Sequence, residues 1–167
     1  MHRSSMNCAL DSEKETTINA KEQFMRDKII RIEWSDPLPI DDMIESESSG
    51  QAGLYYITRI LHDKETSLYI GKTTRTIRER LIQHRKEWLS NRYGRKYVRI
   101  GSIIYPPCID SEVIDHAESA LIFEHSNILI DNTDKTKTYS YSALYQIHNI
   151  GNIGHLNETI RMHNHPD

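Results

Sequence analysis

GLYYITRI (Gly53–Ile60) and SLYIG (Ser67–Gly71) are the stretches that predict the centre of the fold, because both are rich in residues that favour strands. LHDKET (Leu61–Thr66) lies between them and predicts a hairpin with a longer loop. We therefore expect these stretches to form two neighbouring strands of an antiparallel sheet.

Alternation along the two strands predicts which side chains share a face. Tyr55 and Ile57 should lie on one face of the first strand, while in the second strand Tyr69 and Gly71 should share a face, opposite Leu68. If the hairpin register allows it, Tyr55 and Tyr69 are cross-strand neighbours on the same face. Strand tyrosines are usually packing residues, so their meaning depends on the residues that follow.

TIRERLIQHRKEWLSN (residues 76–91) predicts a helix directly after the hairpin. Thr76 followed three residues later by Glu79 fits a capping box, so the helix should begin just after Thr76. Arg80 and His84 are four residues apart and should stand one above the other on this helix.

A third strand and a second helix complete the predicted core. RKYVRIGSIIYPP (Arg95–Pro107) predicts a strand over residues 97–105, which the prolines would end. DSEVIDHAESALIFEHSN (Asp110–Asn127) predicts a helix with Ser111 at its N-cap. Glu118 falls within the apolar arc of that helix, where a carboxylate needs a partner.

The predicted fold is a small α/β domain with a three-stranded, mainly antiparallel sheet flanked by helices. This core should span residues 51–132, between an N-terminal extension (residues 1–50) and a C-terminal elaboration (residues 133–167). About the first 20 residues are polar and poor in aromatic side chains, so we expect them to be disordered.

The extensions contain weaker local patterns. Residues 29–34 predict a short strand, and residues 35–46 predict a turn and a short helix. IGNIG (residues 150–154) lacks the strand-to-helix context of a phosphate-binding loop and predicts a glycine turn instead. A short helix is expected after Asn157.

The bulk composition is that of one soluble domain: 167 residues, of which 37% are hydrophobic and 27% charged. No window approaches the roughly 18 apolar residues of a membrane span. The first residues contain no apolar stretch long enough for a signal peptide. We therefore expect a cytoplasmic protein that does not bind membranes.

The charge distribution is uneven along the chain. The segment Lys72–Arg99 holds ten basic residues and only two acidic ones, Glu79 and Glu87, so its net charge is +8. Because the whole chain has a net charge of −3, the remaining residues together carry −11. A basic stripe on an acidic body is typical of a protein that contacts a phosphate backbone. The segment could equally be a solvated helix face followed by a polar loop, with no role in binding. The candidate substrate-binding residues in this segment are Lys72, Arg75, Arg78, Arg85 and Lys86.

GLY at residues 53–55, YIG at residues 69–71, an arginine-bearing helix and a later helical glutamate together resemble the GIY-YIG nuclease superfamily. The resemblance covers roughly Gly53–Asn132, about half of the chain. The first motif has leucine where the family has isoleucine, on a face that is apolar in either case.

The resemblance implies a role for individual residues. The two strand tyrosines of the family fall on Tyr55 and Tyr69. The helix arginine falls on Arg80, with the histidine one turn later on His84, and the metal-binding glutamate falls on Glu118. It also implies a basic residue directly after the glycine, which is Lys72. A family asparagine falls on Asn132, with Asn127 as the alternative.

The chemistry of phosphodiester cleavage agrees with these residue types. Arg80 can neutralise charge on the phosphoryl oxygens, and Glu118 can hold one Mg²⁺, for which Mn²⁺ can substitute. Tyr55 is the first candidate for the base that deprotonates water, and Tyr69 would orient the phosphate or the water. His84, with an ordinary pKa near 6.5, is the second candidate for the base.

The sequence thus predicts a Mg²⁺-dependent endonuclease that acts on DNA, with RNA left open as a substrate. The alternative is a catalytically inactive nucleic-acid-binding module of the same fold. In that case Glu118 would form a structural ion pair with Arg80 and the tyrosines would serve packing. A monomer and a homodimer are both compatible with the sequence.

Overall fold

The computed structural model of the protein describes residues 29–134 and 146–161. In these residues the chain forms seven strands: β1 (Ile29–Trp34), β2 (Leu38–Pro39), β3 (Gly53–Leu61), β4 (Lys64–Thr73), β5 (Arg95–Tyr105), β6 (Gln146–Gly151) and β7 (Thr159–Arg161). It also forms three α-helices: α1 (Ile40–Glu45), α2 (Ile77–Glu87) and α3 (Ser111–Glu124). Short 3-10 turns follow α1 at Glu47–Gly50 and α2 at Leu89–Asn91.

The strands form one curled, seven-stranded sheet in the order β4-β3-β5-β1-β6-β7, with β2 also paired to β5. Every pair is antiparallel except β1 and β6, which run parallel. The prediction of a small three-stranded sheet is therefore wrong. The strands β3, β4 and β5 are the part that was predicted, and four further strands extend it.

The sheet grows beyond the predicted three strands because β5 is long enough to pair with two strands in succession. Its first half, from Arg95 to Gly101, pairs with β3, and its second half, from Gly101 to Tyr105, pairs with β1. On its other edge β1 pairs with β6, which lies far away in the sequence. Because such pairing is non-local, no local pattern in the sequence indicates it. The N- and C-terminal extensions thus both contribute strands to the central sheet.

The β3–β4 hairpin closes with a tight turn rather than the predicted longer loop. β3 ends at Leu61 and β4 begins at Lys64, so only His62 and Asp63 lie between the strands. Both have positive φ, at 49° and 59°, as the two central residues of a type I′ turn require.

A bulge in β4 changes one predicted side-chain direction. Ile57 is opposite Tyr69, but the next residue of β3, Thr58, is opposite Ser67, which leaves Leu68 as the extra residue. Leu68 consequently packs in the same core as Tyr69, although simple alternation predicted opposite faces.

The sheet buries a hydrophobic core on each face. Helices α1 and α2 cover one core, to which they contribute Ile40, Met43, Ile44, Ile77 and Leu81. Helix α3 covers the other core with Val113, Ala117, Ala120, Leu121 and Ile122, against residues of β1, β3, β4, β6 and β7. Each fully buried Val, Leu, Ile or Met side chain contributes about 1.5–3 kcal/mol to the free energy of folding. The cores on both faces therefore stabilise the sheet.

The helix starts follow the predicted capping chemistry closely. The Thr76 hydroxyl accepts from the Glu79 N–H at 3.2 Å and the Glu79 carboxylate accepts from the Thr76 N–H, which confirms the capping box of α2. Helix α3 begins at Ser111, but Asp110 is its N-cap and accepts from the Val113 N–H at 2.9 Å. The predicted N-cap at Ser111 is therefore wrong by one residue.

The weaker patterns had mixed outcomes. The strand at residues 29–34 and the short helix before residue 46 are confirmed as β1 and α1. Gly151 and Gly154 have φ of 81° and 57°, which confirms a glycine turn. The helix predicted after Asn157 is wrong, because the chain there forms β7, an edge strand of the sheet.

The predicted disorder of about the first 20 residues falls outside the described residues. Across residues 29–134 and 146–161, the helices are all too short or too polar to cross a bilayer.

Candidate active site

Tyr55 and Tyr69 meet on the face of the sheet that α2 covers. Tyr55 is opposite Gly71 in the β3–β4 register and Tyr69 is opposite Ile57, so the two tyrosines are diagonal rather than direct neighbours. Their rings are stacked, with centroids 6.1 Å apart and planes inclined by 24°. Tyr55 is fully buried, while Tyr69 remains partly exposed.

Gly71 makes this stacking sterically possible. A Cβ atom at residue 71 would lie 2.5 Å from the Tyr55 hydroxyl oxygen and 2.6 Å from a ring carbon of Tyr69. The glycine of the YIG triplet is therefore required by the close approach of two phenols.

Gly71→Ala should destabilise the protein by about 1–3 kcal/mol, because the added methyl group overpacks a closed site. Gly50→Ala is a matched control, since a Cβ atom there meets no other atom within 4 Å. Urea unfolding of the two variants measures the difference. Equal stability of the two variants would contradict the packing of the phenols around Gly71.

His84 on α2 connects Tyr55 to Trp88. The Tyr55 hydroxyl is 2.8 Å from His84 Nε2, and the Trp88 indole N–H donates to His84 Nδ1 at 2.9 Å. An indole nitrogen can only donate, so Nδ1 must accept and the neutral imidazole carries its proton on Nε2. His84 therefore donates from Nε2 to the oxygen of Tyr55.

Burial keeps the side chains of His84, Tyr55 and Tyr69 uncharged at neutral pH. Burial, reinforced by the nearby Arg80 charge, lowers the pKa of His84 to about 4. Burial raises the pKa of Tyr55, with a further contribution from Tyr69 and an opposing one from Arg80. Burial also raises the pKa of Tyr69, again against the charge of Arg80.

Acidification should destabilise the protein through His84. The unfolded histidine takes up a proton below about pH 6.5, but the folded one does so only near pH 4, so the free energy of unfolding falls as the pH falls between these values. The full effect is about 3 kcal/mol. Urea unfolding across this pH range should show a smaller loss for His84→Gln than for the wild type, and parallel curves would contradict the prediction.

Arg80 lies beside both phenols and forms no ion pair with a carboxylate in the described part of the chain. One guanidinium nitrogen donates to Gln83 Oε1 at 2.6 Å, and Gln83 in turn donates to Glu87 at 2.7 Å. The predicted alternative of an Arg80–Glu118 ion pair is therefore not found. Arg80 presents a positive charge at the tyrosines that an anionic ligand can meet.

Glu118 lies at the outer edge of β4, and only 8% of it is exposed. Its Oε1 accepts from the backbone N–H of Lys72 at 3.1 Å. Its charge contributes to the raised pKa of both Tyr55 and Tyr69, so the carboxylate lies within electrostatic range of the phenols. The side chain of Lys72 forms an ion pair with Asp115, one turn before Glu118 on α3.

Asn132 is also bound to the outer edge of β4. Its amide oxygen accepts from the Ile70 N–H at 2.9 Å, and its amide nitrogen donates to the Ile70 carbonyl at 2.8 Å. The Asp131 N–H donates to the Leu68 carbonyl at 2.8 Å. Together with Glu118, these groups satisfy backbone groups of β4 on the side where none of the other described strands pairs with it. The side-chain amide of Asn132 thus serves the backbone of the sheet.

The predicted Mg²⁺ would have to be held by the carboxylates at this edge. Mg²⁺ is typically held by one or two carboxylates and completes its coordination with water or phosphate oxygens, and Glu118 with Asp115 nearby offers such donors. A structural zinc site needs four nitrogen or sulfur ligands. Within residues 29–134 and 146–161, no cluster of three or more His, Cys, Asp or Glu side chains could hold a metal.

The basic segment does not form one continuous stripe. Six of its ten cations are engaged within the fold: Lys72 with Asp115, Arg78 with the carbonyls of Ile44 and Ser46, Arg80 with Gln83, Arg85 with Asp41, Arg92 with Asp131, and Arg99 with Glu65. Arg75 and Lys86, both predicted to bind substrate, are exposed and form no ion pair among the described residues. Arg78, in contrast, joins α2 to the end of α1.

Two residues at the site were not singled out from the sequence. Trp88 was missed, although its spacing of four residues from His84 indicates a contact between the two on the helix surface. Asp115 was missed, although it precedes Glu118 by three residues and so shares its helix face. Helical spacing from the assigned residues was the available signal for both.

Comparison of the chain with protein-family models, with curated proteins and with solved structures finds no match.

Proposed function

We propose that the protein is a metal-dependent endonuclease of the GIY-YIG type that hydrolyses DNA phosphodiester bonds. The observation that carries the proposal is the convergence of Tyr55, Tyr69, Arg80 and His84 beside Gly71, with the carboxylate of Glu118 in electrostatic reach. These side chains come from two strands and two helices, so their meeting is a property of the fold rather than of sequence proximity.

Arg80 is suited to bind the scissile phosphate. Its guanidinium group offers a fixed fork of donors that matches phosphate oxygens. It lies beside both phenols, and its charge opposes the rise in their pKa that burial causes. A phosphate bound to Arg80 would therefore lie next to the Tyr55 and Tyr69 hydroxyls, and negative charge that develops on its oxygens would be stabilised.

The hydrogen bonds of His84 favour Tyr55 as the base. Nδ1 of His84 accepts from Trp88 and Nε2 donates to Tyr55, so neither nitrogen has a lone pair for a proton from water. The donated hydrogen bond stabilises negative charge on the Tyr55 oxygen. His84 acts in this proposal as a positioning residue, and Tyr55 takes the proton from the attacking water.

Ionisation of Tyr55 is the costly step. A free tyrosine costs about 4 kcal/mol to ionise at neutral pH, and burial raises the pKa of Tyr55 further. Arg80 and the Nε2–H of His84 both offset this cost. A Mg²⁺ ion held by Glu118 would supply positive charge for the departing 3′ oxygen and for the phenolate.

The proposed reaction balances as an ordinary hydrolysis. The proton of water passes to the Tyr55 oxygen, the hydroxide oxygen forms the new bond to phosphorus, and the bond from phosphorus to the 3′ oxygen breaks. The 3′ oxygen takes a proton from solvent, and Tyr55 returns its proton to solvent. Tyr69 would hold the phosphate or the water by a hydrogen bond.

Plasmid nicking tests the proposal directly. Supercoiled DNA incubated with the protein and Mg²⁺ or Mn²⁺ should be converted to nicked and linear forms, and EDTA should prevent the conversion. DNA that stays supercoiled with either metal, at protein concentrations where it is bound, would contradict the nuclease proposal.

The second candidate function is a nucleic-acid-binding module without catalytic activity. The low exposure of Glu118 and its hydrogen bond to the β4 edge favour this candidate, since both also suit a structural carboxylate. The module would bind DNA in a salt-dependent way and show no turnover with any divalent metal. Action on RNA, a homodimeric state and a cytoplasmic location remain predictions under both proposals.

A further inference from the structure

We propose that Arg59 and Lys96 form a site for backbone phosphates of a nucleic acid, apart from the candidate active site; the proposal rests on the nuclease function only for the identity of the ligand. Arg59 on β3 is directly opposite Lys96 on β5. Like charges that face each other across two strands destabilise a sheet. Such a pair is explained if an anion lies between the two cations.

Neither cation is neutralised by a carboxylate in the part of the chain that the structure describes. The Nε atom of Arg59 is buried and has no hydrogen-bond acceptor. On its other side Arg59 is opposite Thr66, which carries no charge. A buried donor without an acceptor is rare in folded proteins and needs an explanation that these residues do not supply.

The pair lies on the same face of the sheet as Tyr55. Successive side chains of β3 point to opposite faces of the sheet, so residues 55, 57 and 59 share one face. Arg59 is therefore on the same face as Tyr55. Four residues at about 3.3 Å each separate Arg59 from Tyr55 by roughly 13 Å along the strand. This separation corresponds to about four nucleotides of a B-form strand. A strand bound over the candidate active site can therefore extend to Arg59.

The loop before β5 indicates a nucleic acid rather than a small anion. Tyr93 in this loop has 82% of its surface exposed, and Arg95 two residues later is also exposed. Gly94 has φ of 93°, and a Cβ atom there would lie 2.6 Å from the Ile60 carbonyl oxygen, so the turn requires glycine. An exposed aromatic ring held next to cations is the combination with which proteins stack bases and bind their phosphates.

Binding without cleavage tests the site. A labelled mixed-sequence DNA duplex is titrated in EDTA at several salt concentrations with the wild type, with Lys96→Gln and with Arg161→Gln. Arg161 is an exposed cation on β7, at the opposite end of the sheet. Lys96→Gln should weaken binding about 3–10-fold at low salt and reduce the salt slope by about one unit. The control should leave both unchanged.

A folding control and a second ligand make the result unambiguous. The melting temperature of Lys96→Gln should equal or exceed that of the wild type, because the substitution removes a repulsion. Equal salt slopes for Lys96→Gln and the wild type would overturn the proposal. An equally large loss of affinity for polyglutamate would also overturn it, since the site would then bind acidic protein segments. Tyr93→Ala should weaken binding of a single strand more than of a duplex.

The outcomes separate this proposal from the nuclease proposal. If the wild type binds DNA and Lys96→Gln binds more weakly, but no metal supports nicking, the phosphate site stands and the nuclease proposal fails. If the wild type nicks DNA and Lys96→Gln keeps its affinity and salt slope, the phosphate site fails and the nuclease proposal stands.

Discussion

Glu118→Gln should remove metal-dependent cleavage while the protein stays folded and binds DNA. Charge stabilisation by a bound metal is worth several kcal/mol, and each 1.4 kcal/mol is a factor of ten, so the rate should fall about a thousand-fold or more. Glutamine can still accept the hydrogen bond from the Lys72 N–H, which protects the edge of β4. The measurement is single-turnover cleavage with Mg²⁺, alongside binding in EDTA.

Glu124→Gln is the matched control for this prediction. Glu124 is the last residue of α3, it is exposed, and its carboxylate accepts from the Asn157 side chain at 2.9 Å, which glutamine can also do. The control should cleave like the wild type. A Glu118→Gln protein that cleaves at the wild-type rate would exclude residue 118 as the metal ligand.

Tyr55→Phe should lower the cleavage rate about 10²–10⁴-fold, the usual range for loss of a general base. The ring and its stacking on Tyr69 are retained, whereas the hydroxyl that contacts His84 is removed. DNA binding in EDTA should change little, because the cations are untouched. Single-turnover cleavage as a function of pH is the appropriate measurement, since loss of the base should also flatten the pH profile.

Tyr56→Phe is the control for Tyr55→Phe. Tyr56 is the next residue of β3, is equally buried, points to the opposite face and bonds Ser67 through its hydroxyl at 2.5 Å. This variant should lose about 1 kcal/mol of stability and keep its activity. A near-normal rate for Tyr55→Phe, together with an inactive His84→Gln protein, would assign the base to His84.

The elements around the site follow from local signals in the sequence. The hairpin strands, the capping box at Thr76 and the strand at residues 97–105 depend on propensities and on contacts between near neighbours. For the same reason Arg80 and His84 were correctly placed on one helix, and Glu118 on another. The bulge at Leu68 and the tight turn at His62 and Asp63 were missed, because several loop lengths suit the same strand pattern.

The burial of the basic residues could not be predicted from their positions in the sequence. Arg99 carries the same charge as Arg75, yet Arg99 is only 3% exposed and is paired with Glu65, while Arg75 is exposed. Whether a cation meets a carboxylate depends on which strands and helices are neighbours. The net charge of the segment therefore overestimated the cations that are free to bind a phosphate backbone.

The sequence by itself determined the hairpin, the helices that follow it and the order of the candidate residues, because these features depend on residues close together in the chain. Only the tertiary structure decided that β1 and β6 extend the sheet and that Glu118 binds the edge of β4. Each of these depends on contacts that form when distant or differently oriented groups are packed together. Hydrogen-bond geometry and burial, not local propensity, select such contacts.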